Sequence, residues 1–216
     1  MDLFVIGDVH GCFHTYKKMI DHYWNPETEW LIQIGDLIDR GRYSPQAVAY
    51  SRELESTHPE RTVFLKGNHE FEIILHFSNP PNRHWLAQCG EETLNQYESL
   101  NRDIEDDVRW FRNRPLVWEN KDVFISHAGI SQQADDPFDE DSELGVLWNR
   151  SRLKNIDKLQ IIGHTPCEKP VHDKESNSWN IDTGAAFNGF LTGVKITSTG
   201  EIIDFVKEVT DPGDVS

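Results

Sequence analysis

Near its start the chain repeats one phrase three times: a short apolar run, a glycine, a polar cluster and a stretch with helical spacing. Leu3 to Ile6 ends at Gly7, Trp30 to Ile34 at Gly35, and Thr62 to Leu65 runs on to Gly67. The helices predicted to follow carry Phe13, Tyr16, Ile20 and Tyr23, then Gln46 to Leu54, then Glu70 to Phe77. A continuous apolar run suits a strand buried on both faces. Strand, turn and helix in series read as βαβ units, and the pattern alone predicts a doubly wound α/β sheet.

The middle of the chain changes character. Ser78-Asn79-Pro80-Pro81-Asn82 breaks the third helix, and a polar helical stretch is predicted from Glu91 to Arg112. Val123 to Ser126 and Gln160 to Gly163 are further strands, each followed by a histidine. The last third reads as antiparallel: Trp179 to Ile181, Phe190 to Ile196 and Ile202 to Val206, with Ser198-Thr199-Gly200 as a turn. No linker interrupts the 216 residues, so one domain is expected over 1–209, with a frayed Pro/Gly/Asp-rich tail at 210–216.

The residues after these strands share a chemistry. Asp8 and His10, then Asp36, Asp39 and Arg40, then Asn68 and His69, then His127, then His164 all follow strand ends. In open α/β folds ligands bind at that edge. Carboxylate, imidazole and amide donors suit divalent cations such as Mn, Zn or Fe. One histidine at a strand end is ordinarily structural or solvated, and Asp-Arg or Asn-His pairs are common in turns. The ordered coincidence of donors outweighs that reading. The set is rich enough for a pair of cations sharing one carboxylate.

Three blocks carry a resemblance: Gly7-Asp8-Val9-His10-Gly11, Gly35-Asp36-Leu37-Ile38-Asp39-Arg40-Gly41 and Gly67-Asn68-His69-Glu70. With His127-Ala128-Gly129 and Gly163-His164, they resemble the phosphoprotein phosphatase family of calcineurin-like metallophosphoesterases. Leu147-Trp148-Asn149-Arg150 and Ile181-Asp182-Thr183-Gly184-Ala185 are similar to the compact bacterial and phage lambda-type protein phosphatases. The resemblance implies an α/β fold, a central β-sandwich flanked by helices. It also implies that Asp8, His10 and Asp36 hold a first metal, and that Asp36 bridges to a second completed by Asn68, His127 and His164. Arg40 and Arg150 are then the phosphate clamp, and His69, oriented by Asp39, the general acid. The cofactors implied are two divalent ions, Mn first, with Fe or Zn as alternatives.

Elementary chemistry agrees with these roles. A water shared by two cations loses a proton near neutral pH and becomes the nucleophile. The planar guanidinium binds phosphoryl oxygens bidentately, as lysine does not. An alkoxide must be protonated as it leaves, and a carboxylate such as Asp39 raises the pKa of the histidine that would do it.

Three positions read two ways. Arg152 competes with Arg150 for the second clamp. Glu70 is first an acid at a helix start, where it suits the macrodipole, and second a partner behind the ligands. The acidic run of Asp135, Asp136, Asp139, Glu140, Asp141 and Glu143 is a solvated loop, or a rim that favours basic peptides over polyanionic nucleotides. Cys12 and Cys167 read as small core residues.

A net charge of −16 argues against nucleic acid and anionic membranes as partners. The three cysteines lack paired spacing and no signal peptide or spanning segment is visible, so a cytoplasmic protein is expected. The leading expectation is a serine/threonine phosphatase acting on a phosphoprotein or phosphopeptide. A dinucleoside tetraphosphate hydrolase is the alternative; many bacterial members of that branch lack the Asp at 39 and the Glu at 70. A non-catalytic scaffold on a decayed phosphoesterase is the third reading, and no predicted donor is missing.

Overall fold

The computed structural model describes residues 1–187 and 189–215. Parallel strands β1 (Asp2–Ile6), β2 (Glu29–Gln33) and β3 (Thr62–Phe64) lie side by side, linked by α1 (Phe13–Tyr23) and α2 (Ser44–Thr57). β9 (Phe190–Ile196) pairs antiparallel with β1, and β10 (Ile202–Val209) with β9. A second sheet has the order β4 (Val117–Glu119), β5 (Val123–Ser126), β6 (Leu159–Ile162), β8 (Ser178–Asn180) and β7 (Val171–Asp173). Its three central strands are parallel and its two edges antiparallel.

The fold is therefore an α/β sandwich of two mixed sheets flanked by helices, in place of the single doubly wound sheet that pattern alone predicts. Burial on both faces explains the ambiguity. Leu3 and Val5 of β1 meet Ile125 and Ile161 of the other sheet, while Phe4 and Ile6 face Tyr16 and Met19 of α1. The run reads as continuously apolar whichever layer covers it.

Beyond β3, α3 (Asn68–Ser78) starts two residues earlier than its apolar spacing predicts, so Asn68 and His69 occupy its first turn. The expected break follows Ser78. After the break come α4 (Arg83–Trp85) and a π-helical turn at Leu86–Gly90, which the sequence reading left unassigned, and the polar stretch from Glu91 to Arg112 becomes α5 (Glu91–Ser99) and α6 (Ile104–Arg112). Among the described residues, no helix is long and apolar enough to cross a membrane.

The C-terminal segment packs, contrary to the frayed tail expected at 210–216. Thr210 and Asp214 are buried. α1 has Cys12 at its N-cap, which makes no side-chain capping bond. Asp214 supplies the missing acceptor: its carboxylate takes the backbone N–H of His14 at 3.0 Å and of Thr15 at 2.8 Å, with the Thr15 hydroxyl at 2.6 Å. Orphan amides at a helix start need such an acceptor, and here it comes from the far end of the chain. Ser216 lies outside the described residues.

Candidate active site

The turns after β1, β2, β3, β5 and β6 converge on Asp36. Its Oδ1 accepts the backbone N–H of His69 at 3.0 Å. Its Oδ2 is left facing three imidazoles: His127 Nε2 at 3.4 Å, His10 Nε2 at 3.5 Å and His69 Nε2 at 4.0 Å. Burial alone would raise the Asp36 carboxyl, but His127, His69 and His10 outweigh it and hold it well below the carboxylate range. Gly67 makes the fit possible, because a Cβ there would lie 2.2 Å from Asp36 Oδ1. Gly163 does the same for Asp8, whose Oδ1 would be 2.0 Å from an added Cβ.

Second hydrogen bonds orient the rings. His10 Nδ1 donates to the carbonyl of Ile38 at 3.1 Å and His127 Nδ1 to that of Ile34 at 3.0 Å. Both Nε2 atoms are thereby free to ligate. His164 is reversed: Nε2 donates to the Trp148 carbonyl at 3.2 Å, so Nδ1 faces inward. Burial drops His10 to about 3 and His164 to about 2, so both are neutral imidazoles near neutral pH.

This donor set fits cations. Asn68 Oδ1 lies 3.0 Å from His127 Nε2 and 2.9 Å from His164 Nδ1, and those nitrogens are 3.2 Å apart. Asp36 outweighs burial and raises His127 above the ordinary imidazole value, so a proton on Nε2 can donate to Asn68 Oδ1; a cation at this point would take the place of that proton. Ligands about 2.1 Å from one cation and near right angles are themselves about 3 Å apart. With Asp36 these three residues could hold one ion; His10, Asp8 and Asp36 could hold its neighbour. Asp8 is buried, accepts the His164 backbone N–H at 3.1 Å, and is pushed well up by burial and by the facing Asp182 and Asp36. Such repulsion is what a bound cation relieves.

Beside this centre stands a second arrangement. His69 Nδ1 donates to Asp39 Oδ2 at 2.6 Å; that oxygen also accepts Trp85 Nε1 at 2.8 Å, and Thr93 Oγ1 donates to Asp39 Oδ1 at 2.5 Å. Burial would lower His69, but Asp36 and the bond to Asp39 raise it well above the ordinary imidazole value. His69 Nε2 faces a cavity of about 300 Å³ that Arg40, Glu72, Trp148, Arg150 and Phe187 also line. Arg40 Nη2 lies 3.4 Å from His69 Nε2, with its guanidinium over the Phe187 ring at 5.2 Å. Arg150, held by Thr165 Oγ1 at 3.3 Å, lines the cavity; Arg152 is not among its lining residues.

Backbone strain concentrates here. Of the eight non-glycine residues with positive φ among the described residues, five are His10, Asp36, Asp39, Arg40 and His164. The left-handed region costs an L-residue about 1–3 kcal/mol, so neighbours must hold these turns. Glu70 is one such neighbour: its fully buried carboxylate accepts the backbone N–H groups of Asp36, Leu37 and Gly67, each at 2.8 Å. It is thus both the helix-start acid and the partner behind the ligands.

The structure brings Asp8, His10, Asp36, Asn68, His127 and His164 together, sets His69, Asp39, Arg40 and Arg150 beside them, and leaves Arg152 outside the cavity lining. Sequence reading missed Trp85 and Thr93, which lie in helices without a chemical signature, and Asp182, which follows β8 in the Ile181–Ala185 block without the preceding glycine that marks Asp8 and Asp36. In the acidic run, Glu140 is taken by Lys66 Nζ at 2.8 Å while its carbonyl accepts Trp148 Nε1; Asp135, Asp136, Asp139, Asp141 and Glu143 are solvent-exposed. Cys12 is buried, whereas Cys167 is only half-buried.

Comparison with known proteins agrees with the geometry. Residues 1–191 match the family model described as calcineurin-like phosphoesterase. The chain is 28% identical over 245 residues to bis(5'-nucleosyl)-tetraphosphatase PrpE [asymmetrical] of Bacillus cereus (strain Q1), covering 96% of this chain and 98% of that protein. Among solved structures, a putative diadenosine tetraphosphatase superposes with a TM-score of 0.65 at 15% identity, over 97% of this chain and 95% of the other. A cold-active protein tyrosine phosphatase superposes at 0.67 and 15%, over 98% of this chain and 79% of the other.

Proposed function

The chain belongs to the calcineurin-like phosphoesterases and is a metallophosphoesterase, and from that premise we propose that it is a phosphomonoesterase acting on phosphoserine and phosphothreonine in proteins. The observation that carries this reading is the His69–Asp39 pair at 2.6 Å, with Trp85 and Thr93 bound to the same carboxylate. A serine or threonine alkoxide leaves only with a proton. A nucleotide phosphate released from an anhydride is a far better leaving group and needs none. A buttressed acid at the cavity wall is the equipment for the first task.

Asp8, His10 and Asp36 would hold one divalent ion and Asp36, Asn68, His127 and His164 the other, with Mn the cation we propose. When bound, the ions supply Lewis acidity and a nucleophilic hydroxide at neutral pH. Arg40 and Arg150 bind the phosphoryl oxygens from the cavity wall. His69 Nε2 gives its proton to the leaving oxygen, while Asp39 keeps Nδ1 protonated and the ring in plane. Trp85 and Thr93 keep Asp39 anionic and fixed.

The net charge of −16, Glu72 at the cavity and the exposed acids of 135–143 disfavour a polyanionic substrate and suit a basic phosphopeptide. The second reading, hydrolysis of dinucleoside tetraphosphates, is favoured by the name of the 28%-identical relative, which aligns over nearly the whole of both chains. A panel of phosphoserine, phosphothreonine and phosphotyrosine peptides with diadenosine tetraphosphate, assayed with Mn, separates the two. The proposal expects the highest kcat/KM on a phosphoserine or phosphothreonine peptide. A higher value on the dinucleotide transfers the chain to the second reading.

A further inference from the structure

One buried acid near the centre has no part in the site as described. Asp182 follows β8 and is 1% exposed. Its Oδ1 accepts the backbone N–H of Gly184 at 2.9 Å, and its backbone is pinned on both sides: its N–H to Asn180 Oδ1 at 2.9 Å, its carbonyl to Cys167 N–H at 3.0 Å. Its Oδ2 has no hydrogen-bond partner, one of two such buried side-chain atoms among the described residues. Buried polar atoms are almost always satisfied, and one that is not calls for an unseen ion or water.

The neighbours of that oxygen make the omission costlier. Ile181 packs against two of the turns that carry the donors: its N–H donates to the Ile162 carbonyl at 2.8 Å, just before Gly163-His164, and a Cβ on Gly7 would lie 2.8 Å from its carbonyl oxygen, which sets Asp182 beside Asp8. A buried carboxylate set beside another is unfavourable as it stands. The Gly184 and Asn180 bonds hold it in place, so the fold keeps the acid where a cation would make it favourable.

We propose that Asp182 belongs to the cation site, adding a third negative charge and a free acceptor oxygen to the pocket that Asp8, His10 and Asp36 form. It is a positioning residue, acting on the ion and its water shell rather than on the substrate. The inference rests on the metal-centre reading of the site. It gives a role to the acid at a sixth strand end, after β8, where no donor is otherwise needed.

The test is Mn titration of the chelator-stripped full-length chain, read as stoichiometry and affinity, with melting temperatures taken with and without Mn. The wild type should bind two ions. Asp182→Asn keeps the size and an acceptor for Gly184 while removing the charge; it should weaken the first site roughly 10–100-fold, as loss of an outer-shell partner does. Its melting temperature without Mn should equal or exceed that of the wild type, and the rise on adding Mn should shrink. Two ions bound by both proteins with equal affinity would overturn the role of Asp182 alone. Equal loss of melting temperature with and without Mn would make it structural. A wild type that binds no Mn, Fe or Zn would overturn the metal-centre reading beneath it. Should the variant not fold, crystals of the wild type with and without Mn decide: Asp182 Oδ2 gains a water or ion only in the loaded form, and an unpartnered Oδ2 in both contradicts the inference.

Discussion

Glu70 accepts the backbone N–H of Asp36 at 2.8 Å, and so holds the shared carboxylate in its left-handed turn at φ 56°. The same side chain takes the N–H groups of Leu37 and Gly67. Glu70→Gln puts an amide N–H₂ against one of these donors. It should lower stability by about 1.5–3 kcal/mol, the range for one hydrogen bond to a charged group, and reduce the amount of Mn retained through dialysis. Denaturant unfolding and metal analysis check both. A Gln variant of wild-type stability and metal content would show that the turn holds itself.

Asp36 faces His10 and His127 from one oxygen, so its loss touches both predicted ions. Asp36→Asn should lower metal content toward zero, while Asn68→Ala removes one outer donor and should spare one ion per chain. Metal counts on the two purified variants test this. Equal losses would mean that Asp36 is not the shared group.

The phosphate clamp is the next expectation. Arg40→Ala should lower kcat/KM by about 10²–10³-fold, the usual cost of one transition-state donor, and weaken inhibition by inorganic phosphate, with metal content unchanged. Arg40→Lys should recover only part, because a point charge cannot form the fork. Arg150→Ala should act in the same direction and Arg152→Ala should stay near the wild type. Phosphate inhibition constants decide, and an Arg152 variant worse than the Arg150 variant would exchange their roles.

Asp214 caps α1 from a position 199 residues after Thr15. Asp214→Ala should cost about 1–2 kcal/mol, as removal of a helix cap does, with little effect on kcat. Chemical denaturation reads the stability. An unchanged midpoint would return the tail to the frayed state expected from its composition.

How far the sequence carried is clearest at these residues. The ligands were legible because each follows an apolar strand and a turn, a local grammar that needs no tertiary knowledge. Glu70 stayed ambiguous because a helix-start acid and a backbone clamp look alike in sequence, and it turned out to be both. Trp85 and Thr93 were invisible: their partner Asp39 is 46 and 54 residues away, and nothing local marks a tryptophan as a donor. Asp214 was hidden for the same reason. β4 (Val-Trp-Glu) and β7 (Val-His-Asp) are edge strands with no continuous apolar run to mark them. The two-sheet architecture came from the resemblance, since strands buried on both faces look the same in one sheet or two.

The account's central claim is that His69 protonates a poor leaving group, and one comparison tests it most directly: His69→Asn assayed on a phosphoserine peptide and on p-nitrophenyl phosphate, with metal content measured alongside. Positioned general acids contribute about 10²–10⁴-fold, so peptide hydrolysis should fall by that range. The loss on p-nitrophenyl phosphate should be clearly smaller, because nitrophenolate leaves without a proton. Asp39→Asn should repeat the pattern more mildly. Equal losses on the two substrates, with the metals still bound, would contradict the claim and remove His69 from the role of acid.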